Sequence, residues 1–265
     1  MNAFMAYTPC AFFVAAATPS ESAREELSTE LAHAIDCERI TVDRVDLKNH
    51  SDVFKWREKI MFTHGRTPDI VIASVGKLPV TTIGGLGTVP RCWEEKPEHW
   101  ARACDDMKGI LNVQSVFAGV CHQESDAEIL GSWVTLRAPE SEAKKSCHIR
   151  PRKIVNVTQV IDPPCVNGVA PFRVSLAAIH AATKILAKDF KLEKAEGEVI
   201  CASIDPGCLP GTMDCTKTSS HKISEQEKYT QFAKAFVPYV LSLQKKDNGK
   251  LLTIPGFAGV PSMKT

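Results

Sequence analysis

The sequence predicts an α/β fold, a doubly wound parallel sheet covered by helices on both faces. Short apolar runs of strand length alternate with longer segments of helical period along the whole chain, and that alternation is what a parallel sheet with crossover helices requires. One run, DIVIASV at 69–75, is continuously apolar and bounded by Pro68 and Gly76, as a strand buried on both faces should be. The length of 265 residues suits one domain with a sizeable core. In such a sheet ligands bind at the carboxyl ends of the strands.

The elements follow in order. Residues 11–17 read as a buried strand entering a helix. Thr18, Pro19 and Glu21 have the spacing of a capping box with Thr18 as the cap, so a helix is expected to run to about Ala34. A short β-rich run at 39–42 ends near Asp46 and Leu47, and 53–63 looks helical. After the 69–75 strand, 100–117 is helical, KIVNVTQ at 153–159 is a strand, 171–190 is a helix and 199–204 is another buried strand. Ser224 and Glu227 form a second capping box before a helix that places Tyr229, Phe232, Phe236 and Val240 on one face. A last strand covers 251–254. Residues 76–91, with Gly84, Gly85 and Gly87, and residues 119–152 are irregular. The glycines do not directly follow a strand, which makes them a weak phosphate-binding signal.

Composition narrows the function. Charged residues make up 24% and the net charge is +1. Nucleic acid and anionic membrane are therefore not expected partners, and no run of 18 apolar residues predicts a membrane span. The first 20 residues are apolar but carry no Lys or Arg, unlike a secretory leader. Ten cysteines are scattered with no C-x-x-C pair. They predict no metal site, and they read as reduced, partly core-filling thiols of a cytoplasmic protein.

Spacing of landmarks along residues 10–256 resembles the short-chain dehydrogenase/reductase family, which implies a Rossmann-like domain. Asp46 and Leu47 lie where that family contacts the adenine ring. Ala73-Ser74-Val75-Gly76 stands in for its Asn-Asn-Ala-Gly, with only Gly76 retained. Asp106, three residues before Gly109, takes the place of its helix-four Asn, and Gln159, 13 residues before Phe172, takes that of its catalytic Ser. Pro206, Gly207 and Thr212 resemble the segment that touches the nicotinamide. The resemblance implies an NAD(P)-dependent oxidoreductase of a carbonyl or alcohol, in a specialised pathway, with a small-molecule substrate and homo-oligomers common among relatives.

The departures concern the chemistry. Where the family has Tyr-x-x-x-Lys this chain has Phe172 and Leu176, so neither a hydroxyl nor a charge is available there, and Gln159 cannot join a proton relay. No tyrosine of the chain has Lys four residues later. The first glycine is Gly65, so the glycine fingerprint has no counterpart. A strand, a glycine turn and a helix need about 30 residues, so the first βα unit reads as missing or reduced. Its strand would be central in the family's sheet, and its loss would leave two facing edges, which then meet directly, take up the N-terminal stub, or leave the domain marginal. The 119–152 segment is longer than the family pattern and reads either as a substrate-covering insertion or as non-native sequence.

Asp162, after the fifth strand of the family pattern, and Asp106 are the candidates for replacement acid–base chemistry. The simpler role of Asp162 is to fix a turn before Pro163, and that of Asp106 is to hydrogen-bond helix backbone. His180, on the helix after Phe172, and the loop thiols of Cys165 and Cys208 read as structural. Impaired hydride transfer is expected. The alternatives are a redox-neutral isomerisation or cyclisation of an apolar metabolite on the same fold, or a non-catalytic remnant.

Overall fold

A computed structural model describes residues 13–32, 40–65, 67–74, 95–118, 152–158, 170–192, 199–206 and 225–255. The elements are β1 (Val14–Thr18), α1 (Glu21–Glu30), β2 (Ile40–Arg44), α2 (His50–His64), β3 (Ile70–Ser74), α3 (Pro97–Ala118), β4 (Lys153–Val157), α4 (Ala170–Leu192), β5 (Ile200–Asp205), α5 (Glu225–Ser242), a 3-10 turn (Lys245–Asp247) and β6 (Leu251–Thr253). All strand pairings are parallel. The fold is the expected α/β one, with parallel strands and crossover helices.

The strands form two sheets, β1-β2 and β3-β4-β5-β6. Among the described residues, β1 and β3 each have one strand neighbour, so the two edges do not meet by direct pairing. They share a core nonetheless. Val45, Val71, Ala73, Ile110, Val113, Phe117, Ile154 and Ile179 form one buried cluster, and Ala15 and Ala17 of β1 pack against it. This cluster joins α2, α3 and α4 to one sheet face. On the other face Val155, Ala202 and Ile204 pack with Phe236, Val240 and Leu243 at the end of α5. The Phe232 and Phe236 rings lie 5.3 Å apart on that helix.

Local chemistry accounts for the ends. Asn49 caps α2 by accepting the Ser51 N–H at 3.0 Å, and Gly65 ends it with φ of 67°, the left-handed conformation that favours glycine. One expectation is corrected at β1. Thr18 is not the helix cap, because its carbonyl accepts the Val45 N–H at 2.9 Å and it pairs in register with Arg44. Ser20 caps α1, its Oγ accepting the Ala23 N–H at 3.2 Å. Thr18 therefore remains a strand residue, and Glu21 becomes the first helical residue, where it pairs with Arg24. The capping box predicted at Ser224 and the irregular 76–91 and 119–152 segments lie outside the described residues.

Candidate active site

Parallel strands deliver their carboxyl ends to one side of the sheet. In the four-stranded sheet Ser74, Val157, Asp205 and Thr253 end there, and the helices that follow those strands begin there. The loop after β2 meets α3 closely. A Cβ on Gly109 would lie 3.3 Å from the Leu47 Cβ, so glycine at 109 lets the helix approach the loop. Asn112 Nδ2 donates to the Leu47 carbonyl at 2.9 Å and fixes that loop. Asp46 is exposed, and its carboxylate accepts the Lys48 N–H at 3.0 Å. Lys48 Nζ in turn pairs with Asp105 at 3.3 Å.

Asp106 lies one turn before Gly109, beside this loop. Burial raises its pKa above the usual carboxylate value. Arg102 opposes the shift, Asp105 reinforces it, and Lys48 opposes it again. Asp106 thus shares its helix with Gly109 and Asn112, which hold the loop that carries Asp46 and Leu47. Phe172 and Leu176 stand apart from them on the first turns of α4, only 8% and 4% exposed. Pro206 follows β5 and is buried. Asp162, Gln159, Gly76, Gly207, Thr212, Cys165 and Cys208 lie outside the described residues. Of the cysteines that are described, Cys201 fills the core, where burial pushes its thiol up to about 12, and Cys104 is exposed. Among the described residues no cluster of His, Cys, Asp or Glu has metal-binding geometry, and no helix is long and apolar enough to cross a membrane.

Beneath the carboxyl ends runs a buried polar network that sequence reasoning missed. Thr183 of α4 accepts from Asn156 Nδ2 at 2.8 Å and from Ser203 Oγ at 3.1 Å, and it donates to the Ile179 carbonyl at 2.8 Å. His180 Nδ1 is 3.3 Å from Ser203 Oγ. Proton counting orders the network. The only hydroxyl proton of Thr183 goes to Ile179, so Ser203 must donate to Thr183. Ser203 then has no proton left for His180, and His180 Nδ1 must be the donor. Neutral His180 is thus the Nδ1–H tautomer, with a free lone pair on Nε2. Burial, and then Lys184, lower its pKa. Two buried atoms near the ends of this face have no partner, Asn156 Oδ1 and Thr158 Oγ1. The signal available in the sequence was the polar residue at every second position of otherwise apolar strands, Asn156 and Thr158 in β4 and its extension, and Ser203 and Asp205 in β5.

The backbone superposes on solved structures of short-chain dehydrogenases and oxidoreductases. The chain has the short-chain dehydrogenase/reductase fold. An apo short-chain oxidoreductase of Pseudomonas aeruginosa PAO1, described as containing an atypical catalytic center, superposes with a TM-score of 0.62 at 13% identity, covering 100% of this chain and 92% of that one. Its NADPH-bound form gives 0.59 at 13% identity, with 96% and 88% covered. A short-chain type dehydrogenase/reductase of Mycobacterium marinum gives 0.58 at 15% identity, with 95% and 85% covered. No protein-family profile and no curated protein matches the chain.

A dinucleotide fits the short-chain dehydrogenase fold of this chain only in part. Where the resemblance expects the adenine, Asp46 is exposed and Asn112 holds the Leu47 loop. At the pyrophosphate end, no described glycine opens a helix toward the crevice. Gly65 ends α2, Gly109 is filled against Leu47, and Gly249 sits in a turn at φ 73°. Backbone N–H groups at a glycine turn are what grip a pyrophosphate, and the described residues offer no such turn at a helix start.

Proposed function

We propose that the protein is a short-chain dehydrogenase/reductase-like oxidoreductase that binds a small carbonyl or alcohol metabolite and carries out hydride transfer weakly. The fold supports the class. The observation that carries the impairment is the pair Phe172 and Leu176, apolar and buried at the positions where the resemblance places a hydroxyl and an ammonium. General acid–base catalysis contributes about 10²–10⁴-fold, and these two side chains cannot supply it. We read the location as cytoplasmic and the pathway as specialised metabolism, on the reduced cysteines and the resemblance. Self-association is part of the same reading, supported by Val174 and Ile185, which are 54% and 61% exposed on α4.

Calorimetric titration with NADPH, NADP+ and NAD+ tests the proposal. The expected result is weak binding in the millimolar range, with slow turnover of carbonyl substrates. No heat of binding at millimolar coenzyme overturns the oxidoreductase reading.

A further inference from the structure

The strands end in a second acid, and its setting suggests chemistry of its own. Along β5, Ile200, Ala202 and Ile204 face the α5 side, while Cys201 and Ser203 face α4. Alternation puts Asp205 on the α4 side as well. Along β4, Val155 faces α5 and Asn156 bonds to α4, so Thr158 also faces α4. Val157 pairs with Ile204, and the Thr158 N–H donates to the Ile204 carbonyl at 2.9 Å. Thr158 and Asp205 are therefore neighbours on one face, at the crevice end of the two central strands.

Both are removed from water. Thr158 is 3% exposed and Asp205 is 8% exposed. The Thr158 hydroxyl has no hydrogen-bond partner, which is a costly condition for a buried polar atom unless something else completes it. The pair lies two residues beyond Asn156 and Ser203, about 7 Å along the strands. Leu176 lies seven residues before Thr183 on the antiparallel α4, about 10 Å along its axis. Leu176 thus comes within about 4 Å of the level of the acid–hydroxyl pair. The helix contributes an apolar wall where the resemblance expects a charge, and the strand contributes the ionisable group.

We propose that Asp205 and Thr158 form an acid–base site for an apolar ketone, with Asp205 as the catalytic base and Thr158 as the hydrogen-bond donor to the ketone oxygen. The Asp205 carboxylate takes a proton from the carbon next to the carbonyl. That C–H bond breaks, an O–H bond forms on the carboxyl group, and the electron pair moves to the carbonyl oxygen. The resulting enolate accepts the Thr158 hydroxyl proton in a hydrogen bond. The carboxyl group delivers that proton to a conjugated carbon, giving an isomer, or trades it for a solvent deuteron before the same carbon is reprotonated, giving exchange. No oxidant, reductant or coenzyme is consumed, so the step stands independently of the oxidoreductase reading.

The test is deuterium exchange at the α-carbons of 2-tetralone in D2O, followed by proton NMR with no coenzyme present. The wild type is expected to exchange faster than buffer. Asp205→Asn lowers that rate about a hundredfold, within the usual range for a lost general base. Thr158→Val lowers it about tenfold, and Thr158→Ser, which keeps the hydroxyl, retains most of it. Melting curves establish that each variant is folded, and where Asp205→Asn is not, the contrast between Thr158→Val and Thr158→Ser decides. The proposal is overturned if the wild type gives no exchange above buffer, if Asp205→Asn matches the wild type, or if valine and serine at 158 behave alike. Coenzyme calorimetry on the same samples reads the oxidoreductase proposal separately.

Discussion

Replacing Thr183 by valine removes one hydroxyl from the centre of the buried network and nearly preserves shape. Thr183 is fully buried and serves three partners, Asn156, Ser203 and Ile179. The largest loss falls on Asn156, also fully buried, whose Oδ1 already has no partner. Its Nδ2 would then lose Thr183, a cost of about 1–3 kcal/mol for an unpaired buried donor. The added methyl returns about 0.8 kcal/mol. Ser203 is compensated, because its freed proton can turn to His180 Nδ1. The net destabilisation is about 0.2–2 kcal/mol, read as a lower urea midpoint at unchanged slope. The same variant makes a second, independent prediction. With Ser203 now donating, neutral His180 shifts from the Nδ1–H to the Nε2–H tautomer, which nitrogen-15 NMR of the ring distinguishes. Adding Asn156→Val to Thr183→Val should recover part of the loss, since removing both partners is less costly than stranding one. A Thr183→Val chain within about 0.5 kcal/mol of wild type, a scatter typical of neutral surface changes, with an unchanged His180 tautomer, would refute the proton assignment.

Three further outcomes are expected. Lys153 Nζ donates to the Val240 and Leu241 carbonyls at 3.0 and 2.6 Å, capping the end of α5, so Lys153→Met should cost about 1–2 kcal/mol in urea unfolding. His180 has a folded-state pKa below its ordinary 6.5; the fold therefore favours the neutral ring, and the stability it contributes is present above pH 6.5 and lost as pH falls from there through the lower folded value. Midpoints at pH 8 and pH 5.5 should converge between wild type and His180→Gln at the lower pH. The double change Phe172→Tyr with Leu176→Lys should lower the melting temperature, because an ammonium would be buried beside apolar neighbours, and it should give no NADPH-dependent turnover above the slow wild-type rate. Reduction by that variant about a hundredfold or more above wild type, within the general acid–base range, would contradict the view that coenzyme grip limits the reaction.

Much of the fold was legible because its strands are short apolar runs with sharp stops. The 69–75 run became Ile70–Ser74, 153–159 became Lys153–Val157, and 251–254 became Leu251–Thr253. Helix ends were harder. The first turn of α2 depends on the Asn49 side chain, and the start of α1 depends on Thr18 being held by Val45 through strand pairing, a contact between residues far apart in sequence. The site was less legible than the fold. Asp106 was singled out by spacing, and the structure places it on α3 within the field of Lys48, on the loop after β2. Asp205 carries no local signal of its own, standing between an apolar strand and Pro206. Its significance comes from Thr158, 47 positions earlier, and only the β4–β5 register brings the two together. The tautomer of His180 likewise follows from protons on Thr183 and Ser203, which no local pattern encodes.

The split between β1-β2 and the larger sheet has a consequence for how this molecule opens. Among the described residues, side chains such as Ala15 and Ala17 join the two parts, with no shared ladder of amides between β1 and β3. Ile72, in the middle of β3, is left 38% exposed. Cooperative units tend to follow such seams. Amide deuteration should therefore proceed through a sub-global opening in which β1 and β2 exchange together and early, while β4 and β5 hold their hydrogens until the whole chain unfolds.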